Sequence, residues 1–313
     1  MHLPKTGGTS LRYLLRHAYG ASALFPSAQI YALVEYSRAQ LLGYRCFVGH
    51  FGRSLYSLLP PDHGYAAMTI LRDPVERSIS QIKYMERLFD TRRQDVASAN
   101  QQGIVAWRDF VAGAAAPDGR WLDNRQTRGL GVDFDLAPYL GVDAARRDRA
   151  VLDDYDAAVA AADLATATTR ARELLQQCAV VGVTERFAET ALLLCDYIGV
   201  KPPLVWPNLN RAPERADDAN FTHRAAGGYA ARVVEYLESI TAADRELYAL
   251  ANALLDERMA AYRARPRGRV HFLPSLRVQF FTAARAGLDW ASSQARRFLP
   301  GRAASLQKRT GGA

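Results

Sequence analysis

Three short apolar, β-rich runs punctuate the chain: Arg45–Gly49, Ala66–Leu71 and Ala179–Val183. Their continuous hydrophobicity suits strands covered on both faces. Apolar residues three and four apart predict helices over Thr9–Tyr19, Val75–Phe89, Arg186–Ile198 and Asp244–Tyr262. The last follows Thr241-x-x-Asp244, a cap-like start, and carries Leu247, Leu250, Leu254 and Leu255 at helical spacing. Strands alternating with longer helices predict an α/β chain built on a parallel sheet. From Arg92 to Gln176 the sequence is rich in Ala, Asp and Arg and offers no strand, so a helical insertion is expected there. Pro202, Pro203, Pro207 and Pro213 mark a loop ahead of the C-terminal helices. A membrane span needs roughly 18 or more apolar residues. The best candidate, Ala179–Val200, is interrupted by Glu185, Arg186, Glu189 and Asp196, so no span is predicted.

Charge changes this picture. The 313 residues carry a formal +8 and are 49% hydrophobic, the balance of a globular protein. A basic chain would ordinarily suggest nucleic acid or an anionic membrane. Residues 263–313, however, hold eleven Arg and Lys against the single acid Asp289. That tail is +10, which leaves −2 for residues 1–262. The expected organisation is therefore one domain over 1–262, with its helical insertion at about 92–176, and a basic extension over 263–313. The distribution points away from nucleic acid. In the extension, Arg277, Arg285 and Arg296 alternate with Phe280, Phe281, Leu288, Trp290 and Phe298. This pattern fits peripheral contact with an anionic membrane surface, and equally a helix packed on the domain. The three cysteines, Cys46, Cys178 and Cys195, are too scattered for a disulfide framework or a CxxC metal site. Buried thiols in a reducing, cytoplasmic setting are expected. A charged loop from residue 4 leaves no signal peptide in view.

That loop, Pro4-Lys5-Thr6-Gly7-Gly8-Thr9-Ser10, opens directly into a helical pattern. Gly7 and Gly8 permit positive φ and close approach of the backbone to an oxyanion. The amides of the following helix, with its dipole, then point at the anion. Thr6, Thr9 and Ser10 add hydroxyls and Lys5 a point charge. The alternative is an ordinary glycine turn. A Walker A loop is excluded, because the Lys precedes the glycines and the Lys-Ser/Thr pair that seats Mg²⁺ is missing. Only Met1, His2 and Leu3 precede the loop. The strand expected before it is thus very short or continues upstream of Met1.

A second candidate runs Leu71-Arg72-Asp73-Pro74-Val75-Glu76-Arg77-Ser78-Ile79-Ser80, from strand end into a helix. Pro74 suits a first helical turn and Glu76 its positive end. Arg72 offers a planar fork to a phosphate, and Ser80 lies two turns along, on the side facing the strand edge. Alternatively, Arg72 and Asp73 form a local ion pair and Ser80 is a neutral helix residue.

Together the two segments resemble the sulfotransferases, most closely the carbohydrate branch that includes heparan-sulfate 2-O-sulfotransferase and bacterial relatives. Residues 4–10 look like that family's 5′-phosphosulfate loop, and Leu71–Arg77 with Ser80 like its 3′-phosphate motif. Weaker echoes are Val48-Gly49-His50-Phe51, Asp123-Asn124-Arg125-Gln126-Thr127-Arg128, Val181-Gly182-Val183-Thr184-Glu185-Arg186-Phe187 and Leu247-Tyr248. The resemblance covers residues 1 to about 262. It implies a P-loop-like three-layer α/β fold and a donor, 3′-phosphoadenosine 5′-phosphosulfate, whose sulfuryl group passes to a hydroxyl of a carbohydrate or glycolipid. By the same resemblance, Lys5 binds the 5′ end and meets charge on the leaving oxygen, with Thr6, Gly7, Gly8, Thr9 and Ser10 as the cradle. Arg72 and Ser80 would hold the 3′ phosphate. Sulfuryl transfer demands no metal, because the group carries less charge than a phosphoryl.

An acceptor hydroxyl also needs a base. Of six histidines, His50 follows a predicted strand at the edge where open α/β sheets place ligands, in a Gly-His context similar to that of the family's catalytic histidine. Asn124, Gln126 and Arg128 resemble a segment lining the acceptor cleft, with a solvated helix face as the alternative. By the same resemblance, the Pro-rich loop lies near where relatives close over the nucleotide, and Arg211 is expected as a further donor contact. Two other functions compete: a P-loop nucleotide kinase, weakened by the missing Walker A pair, and a basic membrane- or nucleic-acid-binding protein.

Overall fold

The computed structural model describes residues 1–91, 99–117, 121–140, 142, 144–202 and 231–265. The described residues from Met1 to Val200 and from Ala231 to Arg265 belong to the first of two units. The Pro-rich loop beyond Pro202, with Arg211, and the basic extension beyond Arg265 lie outside the described residues. Both candidate anion segments and His50 belong to the first unit.

That unit is mostly helical, with a small parallel sheet. Strand β1, Met68–Leu71, pairs with β2, Val180–Val183, in register from Met68 opposite Val180 to Leu71 opposite Val183. Both runs carry β-branched residues and β2 is buried throughout, as continuous hydrophobicity required. Between them runs a long, largely helical crossover: α3 (Pro74–Thr91), α4 (Ala99–Ala112), α5 (Arg125–Gly131), α6 (Ala144–Ala161) and α7 (Leu164–Gln177). The expected helical insertion is there, without strands among its described residues.

The third expected strand, Arg45–Gly49, does not form. It makes one parallel bridge, Leu24 to Cys46. Its neighbours explain why. The Arg12 guanidinium, from α1 (Gly8–Tyr19), donates to Val48 O at 2.9 Å and to Phe25 O at 2.7 Å, taking carbonyls a ladder would have used. The N-terminal residues run between this segment and β1. The Met1 ammonium donates to Met68 O (2.7 Å) and His2 N to Gly49 O (3.1 Å).

After β2, α8 (Phe187–Ile198) packs directly onto the strand. A Cβ on Gly182 would lie 2.0 Å from the Thr190 side chain. Helices α9 (Ala231–Ser239) and α10 (Ala242–Ala264) close the unit, with α10 against β2, α5 and α7. A short α2, Arg38–Leu42, lies earlier. The core includes two separate buried clusters. One joins Phe25, Leu33, Phe51 and Leu58 to Val151 and Tyr155 of α6. The other joins Val75, Ile79 and Ile82 of α3 to Trp107, Phe110, Val233 and Leu237. No helix among the described residues is long and apolar enough to cross a membrane.

Candidate functional site

The loop of residues 4–7 lies over the carboxyl ends of both strands. Gly7 has φ +83°, a value L side chains rarely adopt, and its Cα faces Ile70, Thr184 and Phe187. Lys5 also has positive φ (72°), so the chain curls tightly before α1 at a cost that a non-glycine residue rarely carries. The Thr6 hydroxyl is fully buried and donates to Leu3 O (2.8 Å), so it holds the loop from inside and its proton is not offered outward. Helix α1 starts with no acidic residue in its first turn and no side-chain cap, which leaves its positive end uncompensated. Thr9 is exposed there and Ser10 half-buried.

Gly8 has a different reason to be glycine than the sequence suggested. It is helical, and a Cβ at this position would fall 1.7 Å from Nε2 of His2. The contact that needs the bare Cα is with an imidazole.

Arg72 stands where β1 ends. Its Nη1 donates to Lys5 O (3.3 Å), and looser ion pairs reach Glu76 (3.7 Å) and Glu185 (3.9 Å). The alternative of a local Arg72–Asp73 pair gives way to these contacts. Asp73 instead caps α3, accepting from Glu76 N at 3.0 Å. Glu185 also accepts from Asp73 N (3.1 Å) and from the Tyr248 hydroxyl (3.0 Å), whose pKa burial and Glu185 push up to about 12. On α3, Glu76, Ser80 and Tyr84 follow at four-residue spacing, with Arg87 three further on, so they share a face. Ser80 is half-buried midway along it. At its far end the Lys5 ammonium sits 4.8 Å from the Tyr84 ring centroid. Burial, then Arg87 and Arg72, push the Lys5 pKa down to about 8. The cations thus converge although the body as a whole is slightly acidic, and a bound anion would relieve their repulsion.

His50 joins them. Its Nδ1 lies 3.2 Å from His2 O, and a carbonyl only accepts. The proton therefore belongs on Nδ1, which leaves Nε2 with a free lone pair. Burial, with Lys5 and the chain's amino group nearby, lowers its pKa and keeps the ring neutral at pH 7. The ring stands edge-on to His2, 4.5 Å between centroids.

The three residues expected to face an acceptor have framework contacts instead. Gln126 is 0% exposed, and its amide clamps the Arg72 backbone: Oε1 accepts from Arg72 N (3.0 Å) and Nε2 donates to Arg72 O (2.8 Å). Asn124 is buried at φ 43° and its Oδ1 accepts from Asp244 N (3.1 Å). Asp244, 0% exposed, in turn accepts from Gln126 N (3.1 Å) and Thr127 N (2.7 Å). Burial pushes its carboxyl pKa up, opposed by these amides and by Arg77. Arg128 is held by Asp123 (2.8 Å) and by Ala162 O. An open, solvated helix face is likewise ruled out for Asn124 and Gln126 by their burial.

Thr241 does not cap α10 with its side chain, because its hydroxyl donates back to Leu237 O (2.6 Å). The Thr241-x-x-Asp244 pattern read as a cap is in fact one half of a tertiary lock. Sequence reasoning assigned no role to His2, Tyr84 or Arg87, and read Asp244 only as part of a helix cap. Glu185 was visible only as part of a family-like string. A cavity of about 260 Å³ lies between α5, α6 and α7, lined by Asp133, Ala162, Asp163 and Arg170 among others, and none of the expected site residues borders it.

Comparison with protein-family models and with curated proteins finds no match to this chain.

Proposed function

We propose that the chain is a sulfotransferase of the carbohydrate branch, on a P-loop-like three-layer fold, which moves the sulfuryl group of 3′-phosphoadenosine 5′-phosphosulfate to a carbohydrate or glycolipid hydroxyl. The observation that carries the reading is the convergence of Lys5, Arg72, the Ser80 face of α3 and a neutral His50 at one edge, over the carboxyl ends of the parallel strands. Open α/β sheets bind ligands at that edge. In this reading His50 Nε2 takes the proton of the acceptor hydroxyl while its oxygen forms the new S–O bond. The bond from sulfur to the bridging oxygen of the donor breaks, and Lys5 with the amide end of α1 meets the charge left on the phosphate. Arg72 and Ser80 hold the 3′ phosphate. Glu76 and Glu185 set Arg72's fork in place, and a phosphate would compete with them for it. The three thiols are unpaired, which fits a reducing, cytoplasmic setting; contact of the basic tail with an anionic surface belongs to the same proposal.

Calorimetry with 3′-phosphoadenosine 5′-phosphate and with ATP, each with and without Mg²⁺, tests the donor. Metal-independent binding of the former is expected, weakened about 10–100-fold in Arg72→Ala, the loss of a charge-assisted contact. Preference for ATP would move the chain to the kinases and end this reading.

A further inference from the structure

His2 is the least explained group beside the candidate base. It is 6% exposed, and its Nδ1 is buried with no hydrogen-bond partner among the described residues. An apolar ring of the same shape would avoid that loss. The ring is nevertheless clamped on two sides. Gly8 presents a bare Cα to it, and no larger residue fits there. His50 meets it edge to face, 4.5 Å between centroids and at 62°. The backbone completes the arrangement: His2 N donates to Gly49 O (3.1 Å), while His2 O receives the proton on His50 Nδ1 (3.2 Å). One residue thus touches the phosphate loop, the segment carrying His50 and His50 itself.

We propose that His2 is a positioning residue for His50, its carbonyl fixing the tautomer and its wedged ring fixing the orientation that keeps Nε2 directed to an incoming hydroxyl. This rests on the reading of His50 as the base. Because the same ring lies on Gly8, a shift of the loop when an anion binds is passed to His50 through a rigid contact. The charged groups facing the pair are Lys5 from the loop, Arg12 from α1 and the chain's amino group beside Met68, with the Cys46 thiol near the last two. All three charges are positive and favour neutral rings, as burial does.

The test uses the full-length chain with ¹⁵N-labelled imidazoles, in wild type, His2→Ala, His2→Phe and Gly8→Ala. Wild-type His50 is expected to show the Nδ1–H tautomer with a midpoint below that of a free histidine. In His2→Ala the ring loses its wedge, so mixed tautomers and a higher midpoint are expected, with kcat down about tenfold and donor KM within twofold. His2→Phe restores the shape and is expected to recover most of kcat, with the acid limb of the pH profile close to that of wild type, because burial and Lys5 depress the His50 midpoint and the His2 carbonyl is retained. Gly8→Ala, which pushes the His2 ring from its other side, should move the His50 signals as His2→Ala does. Unchanged His50 signals in folded His2→Ala and Gly8→Ala proteins would overturn the proposal. The spectra need no turnover. Absence of nucleotide binding and transfer in wild type would remove the enzyme reading, while the His50 signals still report whether His2 positions it.

Discussion

Two polar clusters lie on either side of Arg72, and they use their polar groups differently. At α5 and α10, Asn124, Gln126 and Asp244 exchange hydrogen bonds with backbone groups until each element is tied to the next. At the loop, His2 keeps an unpartnered nitrogen, Lys5 holds a left-handed backbone and a depressed pKa, and the ring of His50 is fixed on one side only. Native proteins rarely leave buried polar groups without partners. The α5–α10 cluster is framework: its carboxylate and amides are spent on backbone groups and it grips the backbone of Arg72, although Thr127 Oγ1 and two Arg77 nitrogens lack partners among the described residues. The loop cluster, where cations and a neutral imidazole converge, is the candidate working site.

The sharpest way to test this contrast is His50→Ala. Turnover is expected to fall about 10²–10⁴-fold, the range for losing a general base, with binding of 3′-phosphoadenosine 5′-phosphate nearly intact. Near-wild-type turnover would place the base elsewhere. Asp244→Ala strikes the other cluster. It leaves two helix amides and the buried Arg77 uncompensated, so a stability loss of about 3–5 kcal/mol in urea unfolding is expected. A loss well under this would mean that α5 and α10 are not locked through the carboxylate. The smallest effect concerns pH. Both His2 and His50 have pKa values lowered in the fold, His2 strongly, by burial first. The folded chain therefore binds these protons less readily than the unfolded chain. Their contribution is fully present above the unfolded value, about 6.5, and is lost as pH falls below it. The urea midpoint should drop between pH 7 and 5.5, and drop less in His50→Ala. A flat profile in wild type would contradict the burial of the pair.

Much of the cluster at the loop was legible in the residues. Lys5, Gly7 and Arg72 stand in local strings whose chemistry is set by neighbours in sequence, and Pro74 with Glu76 announced the start of α3. The acceptor-side segment was not legible in that way. Asn124, Gln126 and Arg128 are polar and close together, which reads as a binding surface as readily as a lock. Beside the local Asp123, the partners that decide their role, Asp244, Arg72 and Ala162, lie far along the chain or belong to its backbone. The run Arg45–Gly49 has strand composition, yet Arg12 takes the carbonyls it would have paired.

Sequence alone anticipated α1, α3, α8 and α10, the two strands that form along with a third that does not, and the contrast between a nearly neutral body and a basic tail, because periodicity and charge are local sums. Tertiary structure alone decided which polar groups are satisfied. It turned Thr6 inward, gave Asp244 to another helix and set His2 between Gly8 and His50. A hydrogen bond's partner depends on where the chain returns in space, and no window of sequence carries that distance.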